Sequence, residues 1–286
     1  MMEQVQNIRK RSFAPQPEQQ FEQVAKTRRT FCASGDRPVE VWEFASTQTQ
    51  HPACLVVNLH GGGFIKPRGQ RDEVYCAWMA QQLKALVWDV DYALAPENPY
   101  PAALEDVQAV CRQARSEADR RGCPMLLVGH SAGGNLAAAA CIADADTQQH
   151  RPDGLLIEYF PTDLMQDPVE KLTEEQRKDT GVLARAEVGR LYNQFYLQGQ
   201  DPSLPTISIC NADDHCLQSF PRTMMLCAGL DKLRPENKRF ADRLTKQGVK
   251  TEFHCLEQSH HGFTVNRTDE WQQALQLHLQ FLRSFC

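Results

Sequence analysis

The sequence predicts an α/β protein: a mostly parallel central sheet covered by helices on both faces, with a small helical cap. Three observations lead there. Short β-rich runs alternate with amphipathic stretches along most of the 286 residues, the pattern of strands joined by crossover helices. Glycine-rich turns follow directly on two of the apolar runs, at His60-Gly61-Gly62-Gly63 and at Gly129-His130-Ser131-Ala132-Gly133. The chain is 42% hydrophobic, enough at this length for one sizeable core, so residues 1–286 are read as a single domain.

In chain order, the strand candidates are VEVWEF (39–44), ACLVVNL (53–59), LVWDVDY (86–92), MLLVG (125–129), LLIEYF (155–160), TMMLCAG (223–229) and KTEFHCL (250–256). Each is a short apolar or β-branched run bounded by turn residues. Helical periodicity lies between them, near 72–84, 103–121, 132–145, 235–247 and 268–284. Two segments break the rhythm. Residues 1 to about 30 are polar and Gln-rich and are interrupted by Pro15 and Pro17; residues 163 to about 205 form a charged insertion holding the helix-like ARAEVGRLYNQFYLQG. A long insertion in an α/β domain is read as a lid over a site; a peripheral packing helix is the plainer alternative.

The net charge of -5 comes from 31 basic and 36 acidic residues without long single-sign runs. That disfavours a nucleic-acid surface or a polybasic membrane anchor and favours a small diffusible partner. No apolar stretch follows the basic start, and none approaches 18 residues, so the expectation is a soluble cytoplasmic protein. The 11 cysteines are odd in number, spread from Cys32 to Cys286 and never form C-x-x-C, which reads as buried thiols in a reducing compartment. In CNADDHC, the spacing of Cys210, His215 and Cys216 is wrong for a zinc knuckle.

The run MLLVGHSAGGNLAAAA passes from strand-like to helix-like at Ser131. A strand that turns sharply into a helix strains its corner residue and leaves room only for small neighbours, which Gly129, Gly133 and Gly134 supply. Such an elbow holds the Ser131 hydroxyl at the carboxyl edge of the sheet, with the Ala132 N–H at a helix N-terminus beside it. A serine that merely caps the helix is the alternative. An attacking serine needs an oxyanion hole, a base and a group to orient the base. Consecutive glycines after the second strand let bare N–H groups face a cavity, and the loop lacks the Lys-Ser/Thr of a phosphate-binding P-loop; Gly62 and Gly63, joined by Ala132, are the oxyanion candidates. Asp231 follows a buried-looking strand and serves as the acid candidate, or as a helix N-cap before RPENKRFADRL. His260 and His261 share a loop before the last helix, and periodicity does not choose between them.

Taken in order, HGGGF, DYALAPENPYPAALEDV, GHSAGGNLA, GLDKLR and HHGF resemble the hormone-sensitive-lipase branch of the α/β-hydrolases, with its bacterial acetyl-esterases and carboxylesterases, over roughly residues 53–285. The resemblance implies the α/β-hydrolase fold, Ser131 as nucleophile, Asp231 as orienting acid and His261, the histidine immediately before Gly-Phe, as base. It also implies Gly62 and Gly63 as oxyanion donors, His60 and Gly61 as structural neighbours, and Glu97 and Asp106 as scaffold residues tying down loops near the site. A cap formed by about 1–30 and about 163–205 is similar to the family's. Two departures stand out: His130 precedes the serine where many members carry Asp or Glu, and the usual Ser-Pro is interrupted around PTISIC.

The resulting expectation is a serine esterase acting on short acyl groups, acetyl to butyryl, of a small-molecule ester, without metal or organic cofactor. The rivals are a non-catalytic ligand-binding protein on the same fold, as in the gibberellin receptors that lose the base, and an amide hydrolase. Fold alone does not separate them, and oligomeric state is not legible.

Overall fold

The computed structural model describes residues 2–10, 21–32 and 37–286. Among them, eight strands form one sheet: β1 (Val24–Cys32), β2 (Pro38–Ser46), β3 (Leu55–Leu59), β4 (Leu86–Asp91), β5 (Met125–His130), β6 (Gly154–Glu158), β7 (Arg222–Ala228) and β8 (Thr251–Leu256). Their spatial order is β1-β2-β4-β3-β5-β6-β7-β8. Only β2 runs antiparallel to its neighbours; every pairing from β4 to β8 is parallel. All seven strands read from the sequence are present, within about two residues at each end.

The connecting helices are α1 (Met2–Lys10), α2 (Gln70–Leu83), α3 (Ala102–Arg121), α4 (Ala132–Ala143), α5 (Glu174–Lys178), α6 (Thr180–Leu197), α7 (Asp214–Gln218), α8 (Arg234–Lys246), α9 (Phe263–Asn266) and α10 (Trp271–Arg283). Strands β3, β5 and β6 are buried along their whole length, because helices cover both faces and every position must be apolar or partnered. One apolar layer joins alternate strand residues to α3, α4 and α8; the other joins the intervening residues to α2 and α10.

The edge strand β1 corrects the reading of residues 1 to about 30 as cap. Residues 24–32 pair antiparallel with β2 and belong to the sheet. Their burial is nearly all partial or absent, since an edge strand needs no apolar alternation, and VAKTRRTFC offers none to read. Of the remainder, α1 is the described part. Arg9 ties it down through paired hydrogen bonds to Glu97, 2.8 Å each, and through the carbonyls of Ile65 and Ala95. Positions 11–20 of that segment lie outside the described residues.

From β3 the chain passes to β4 on one side and then to β5 on the other. In open α/β sheets such a reversal leaves a crevice at the carboxyl ends of the flanking strands. The HGGG loop leaves β3 there and Ser131 leaves β5. The poly-alanine face of α4 brings the helix close over this point: a Cβ on Gly133 would lie 2.1 Å from the Leu59 carbonyl oxygen, and one on Gly129 would lie 2.4 Å from that of Gly133. Only glycine permits those approaches.

Candidate active site

Ser131 sits between β5 and α4 at φ 54°, ψ -118°, a conformation that costs a non-glycine residue about 1–3 kcal/mol and persists only where the surroundings impose it. Its N–H donates to the Glu158 carbonyl at 3.0 Å, and its carbonyl accepts from Gly134 and Asn135. The side chain makes no capping bond to α4. Its Oγ instead lies 2.8 Å from His261 Nε2.

On the far side of that ring, Nδ1 is 2.6 Å from Asp231 Oδ2. The two loops that carry these groups follow the neighbouring parallel strands β7 and β8, so the pair forms across 30 residues of sequence between adjacent strand ends. Asp231 also accepts the Leu233 N–H at 3.2 Å, but the residue at the N-cap of α8 is Leu233. Burial pushes the Asp231 carboxyl up, while the His261 charge and hydrogen bond outweigh it and hold the carboxyl below its ordinary range. The side chain of Asp231 is 4% exposed against 42% for His261: the carboxylate is sealed and the imidazole is open.

His260 turns away. Its N–H and its Nδ1 both meet Asp269 Oδ2, at 2.8 and 3.2 Å, and the side chain is 62% exposed.

The HGGG loop lies against the elbow. A Cβ on Gly61 would come within 3.0 Å of the His130 carbonyl oxygen, Gly62 and Gly63 adopt φ 140° and 62°, and the ring of Tyr192 from α6 covers Gly63. His60 is wholly buried, stacks on Tyr92 at 4.2 Å between centroids, and donates Nδ1–H to the Gly61 carbonyl at 2.9 Å. Burial lowers its pKa, and the neutral ring acts as a brace for the loop. Ala132 opens α4, so its N–H is among the helix donors that lack an intrahelical acceptor. Ser131, His261, Gly61, Gly62 and Gly63 line one cavity of about 150 Å³.

The match to the family described by the α/β-hydrolase fold runs over residues 56–265, well over half of the chain. The chain belongs to the α/β-hydrolase family. Among its relatives, esterase LipI of Mycobacterium tuberculosis is 29% identical over 217 residues, covering 75% of this chain and 67% of that one. Human hormone-sensitive lipase is 35% identical over 133 residues, 46% of this chain but 12% of the lipase, so the chain spans only a small part of that relative. Carboxyl esterase 2 of the fungus Tuber melanosporum superposes with a TM-score of 0.81 at 18% identity, over 99% of this chain and 97% of that one; at that identity the likeness speaks for the fold. The resemblance to the hormone-sensitive-lipase branch holds.

Several residues at this α/β-hydrolase site escape a sequence reading. Glu158, in the middle of the apolar run LLIEYF, is wholly buried. It accepts from His130 Nδ1 at 2.6 Å, His278 Nε2 at 2.9 Å and Thr264 Oγ1 at 2.8 Å, joining the elbow, α9 and α10. Tyr75 OH meets the other nitrogen of His278 at 2.8 Å. Burial alone would raise the Glu158 carboxyl; the two histidines outweigh it and hold it far below the usual glutamate range. A carboxylate inside an apolar strand was the available signal, but its partners lie 28, 106 and 120 residues away.

The two further residues that the resemblance offers as scaffold make the following contacts. Glu97 holds α1 through Arg9, and Asp106 accepts the Ala93 N–H at 2.7 Å. The interrupted Ser-Pro region is pinned by Ser208 Oγ, which accepts the Leu164 N–H at 2.8 Å beside buried Ile207. Among the described residues, no group of three or more His, Cys, Asp or Glu side chains could hold a metal ion, and no helix is long and apolar enough to cross a membrane.

Proposed function

We propose that the protein is a serine carboxylesterase that hydrolyses short-chain acyl esters through Ser131, His261 and Asp231. The observation that carries this reading is the unbroken line from Ser131 Oγ to His261 Nε2, 2.8 Å, and from His261 Nδ1 to Asp231 Oδ2, 2.6 Å. Asp231 keeps the proton of His261 on Nδ1, which leaves Nε2 to accept the Ser131 proton as Oγ attacks the ester carbonyl. The N–H groups of Gly62, Gly63 and Ala132 stabilise the tetrahedral oxyanion. His261 then protonates the departing alcohol, and water repeats the sequence on the acyl-enzyme.

An acetyl-to-butyryl group fits the cavity of about 150 Å³, a volume able to hold one benzene-sized group. Residues 163–205 together with α1 act as the cap. Tyr192 of α6 covers Gly63, Tyr196 stacks on Phe64 at 3.8 Å between centroids, and Gln198 donates to the Pro96 carbonyl. The partner is a small-molecule ester in this reading.

Turnover of 4-nitrophenyl esters from acetate to dodecanoate, wild type against Ser131→Ala, tests it. Ser131-dependent turnover that is fastest from C2 to C4 is expected. Near-normal turnover in Ser131→Ala would overturn the assignment of the nucleophile. No turnover at any length, together with no labelling of Ser131 by a fluorophosphonate, would leave a ligand-binding protein on this fold.

A further inference from the structure

The walls of the cavity around Ser131 come from separate parts of the chain. The segment after His261 supplies Gly262, Val265 and Asn266, and α2 supplies Arg71. The oxyanion loop supplies its glycines and Lys66, whose N–H closes a turn onto the Gly62 carbonyl at 3.0 Å. The insertion at 163–205 adds one side chain to the described lining, Tyr192.

Tyr192 is packed on the oxyanion loop itself. A Cβ on Gly63 would collide with three atoms of the Tyr192 ring, so the ring rests against the bare glycine. One turn further along α6, Tyr196 stacks on Phe64, the next residue of the loop, with the two rings 9° from parallel. Residues four apart share one helix face, and these two tyrosines seat α6 on two successive loop residues. The seat is braced from both sides. The Tyr196 carbonyl accepts the Tyr100 N–H at 2.9 Å, and Tyr100 OH meets Thr206 Oγ1 at 2.7 Å. Within the insertion, Arg190 Nε reaches both oxygens of Asp167 at 2.8 and 2.7 Å. A tyrosine ring is large and stiff, with only two side-chain torsions, so in this setting it is a fixed wall.

We propose that the Tyr192 ring sets the upper limit on the acyl chain. This rests on the ester-hydrolase reading above and names the side chain behind its short-chain preference. The leaving oxygen takes its proton from His261 Nε2, so the alcohol stands at the wall built by the His261 segment. Tyr159 belongs to that same side: it is 1% exposed and its ring meets the His261 ring edge-on at 5.1 Å between centroids. The acyl chain is left the wall formed by the glycine loop, and Tyr192 closes that wall. Val188 and Leu191, also on α6, are half-buried and pack against the core. A smaller residue at 192 therefore opens the cavity beside an apolar helix face, where further methylenes gain from burial.

The test is the ratio of kcat/KM values between 4-nitrophenyl esters of different acyl length, in wild type, Tyr192→Ala, Tyr192→Phe and Tyr192→Trp. Each newly accommodated methylene is worth about fourfold, so the hexanoate-to-butyrate ratio should rise about tenfold or more in Tyr192→Ala. Tyr192→Phe, which keeps the ring, should hold the wild-type ratio, and Tyr192→Trp should lower the butyrate-to-acetate ratio. The tryptophan variant carries the test by itself if the alanine variant fails to fold. An alanine-like ratio in Tyr192→Phe would overturn the proposal, since the hydroxyl and not the ring would then set the limit. So would a wider range of alkyl acetates, ethyl to hexyl, in Tyr192→Ala with no change along the acyl series, which would move the ring to the alcohol side. Ser131-dependent turnover with ratios unmoved in all three variants would remove this inference and leave the esterase reading standing, whereas no turnover of any ester by the wild type would remove both.

Discussion

The molecule holds two histidine–carboxylate pairs with the same contact, Nδ1 to carboxylate at 2.6 Å, one at His261–Asp231 and one at His130–Glu158. Both border the same serine: His130 precedes Ser131 in the chain, and His261 Nε2 meets Ser131 Oγ. In the first pair the imidazole is 42% exposed and its Nε2 faces Ser131 Oγ. In the second, the side chains are 1% and 0% exposed, and the His130 Nε2 meets Asn58 Oδ1 at 3.2 Å. What differs is the group on the outer nitrogen and its access to solvent. A base must exchange its proton with a reacting group, so it has to end at a nucleophile in an open cavity. A buried pair that ends in further hydrogen bonds holds elements together.

This contrast can be broken by substitution. The largest expected effect is on turnover: Ser131→Ala or His261→Ala lowers kcat about 10⁶-fold, and Asp231→Asn lowers it about 10⁴-fold through loss of the correct tautomer. Unfolding midpoints close to wild type would show that the open pair serves chemistry and not the fold; a large drop in stability for His261→Ala would merge the two pairs into one class.

Next in size is the sealed pair. Removing one partner of a buried ionic network costs about 3–5 kcal/mol, so Glu158→Gln should shift the denaturant midpoint well down at unchanged slope. An unchanged midpoint would show that the network of His130, His278 and Thr264 is dispensable.

The third effect is on acid stability. A carboxyl held below its ordinary pKa contributes stability above its unfolded value, and loses that contribution as pH falls through its folded value. Glu158 and Asp231 both sit below their ordinary ranges. Thermal midpoints should therefore decline as pH drops below about 4, and Glu158→Gln should flatten that decline; parallel curves for the two proteins would assign the acid loss to other groups. The smallest effect is expected at His260→Ala, whose side chain turns to Asp269; kcat/KM should stay within about twofold, and a dead variant would reverse the choice between the neighbouring histidines.

Legibility in the sequence followed locality. Strands β3, β5 and β6 are continuous apolar runs because both faces are covered, and that pattern survives in one dimension. The elbow is equally local, since the glycines that make room for Ser131 stand within three residues of it. Strand β1 was not legible: an edge strand with exposed Lys26 and Arg28 and no buried position carries no burial pattern. Lys66 and Arg71 read as unremarkable charges, because only the turn onto Gly62 and the position of α2 bring them to the cavity.

By itself the sequence determined the layered α/β architecture, the corner at Ser131 and the glycine loop after β3, all consequences of short-range sterics and hydrophobic period. Only the tertiary structure decided that His261 meets Ser131 while His260 meets Asp269, that Glu158 ties together three distant segments, and that two cations share the cavity wall. Those facts depend on strand order and loop direction, which bring together residues as much as 203 positions apart, and no local pattern encodes which of two adjacent side chains will face inward.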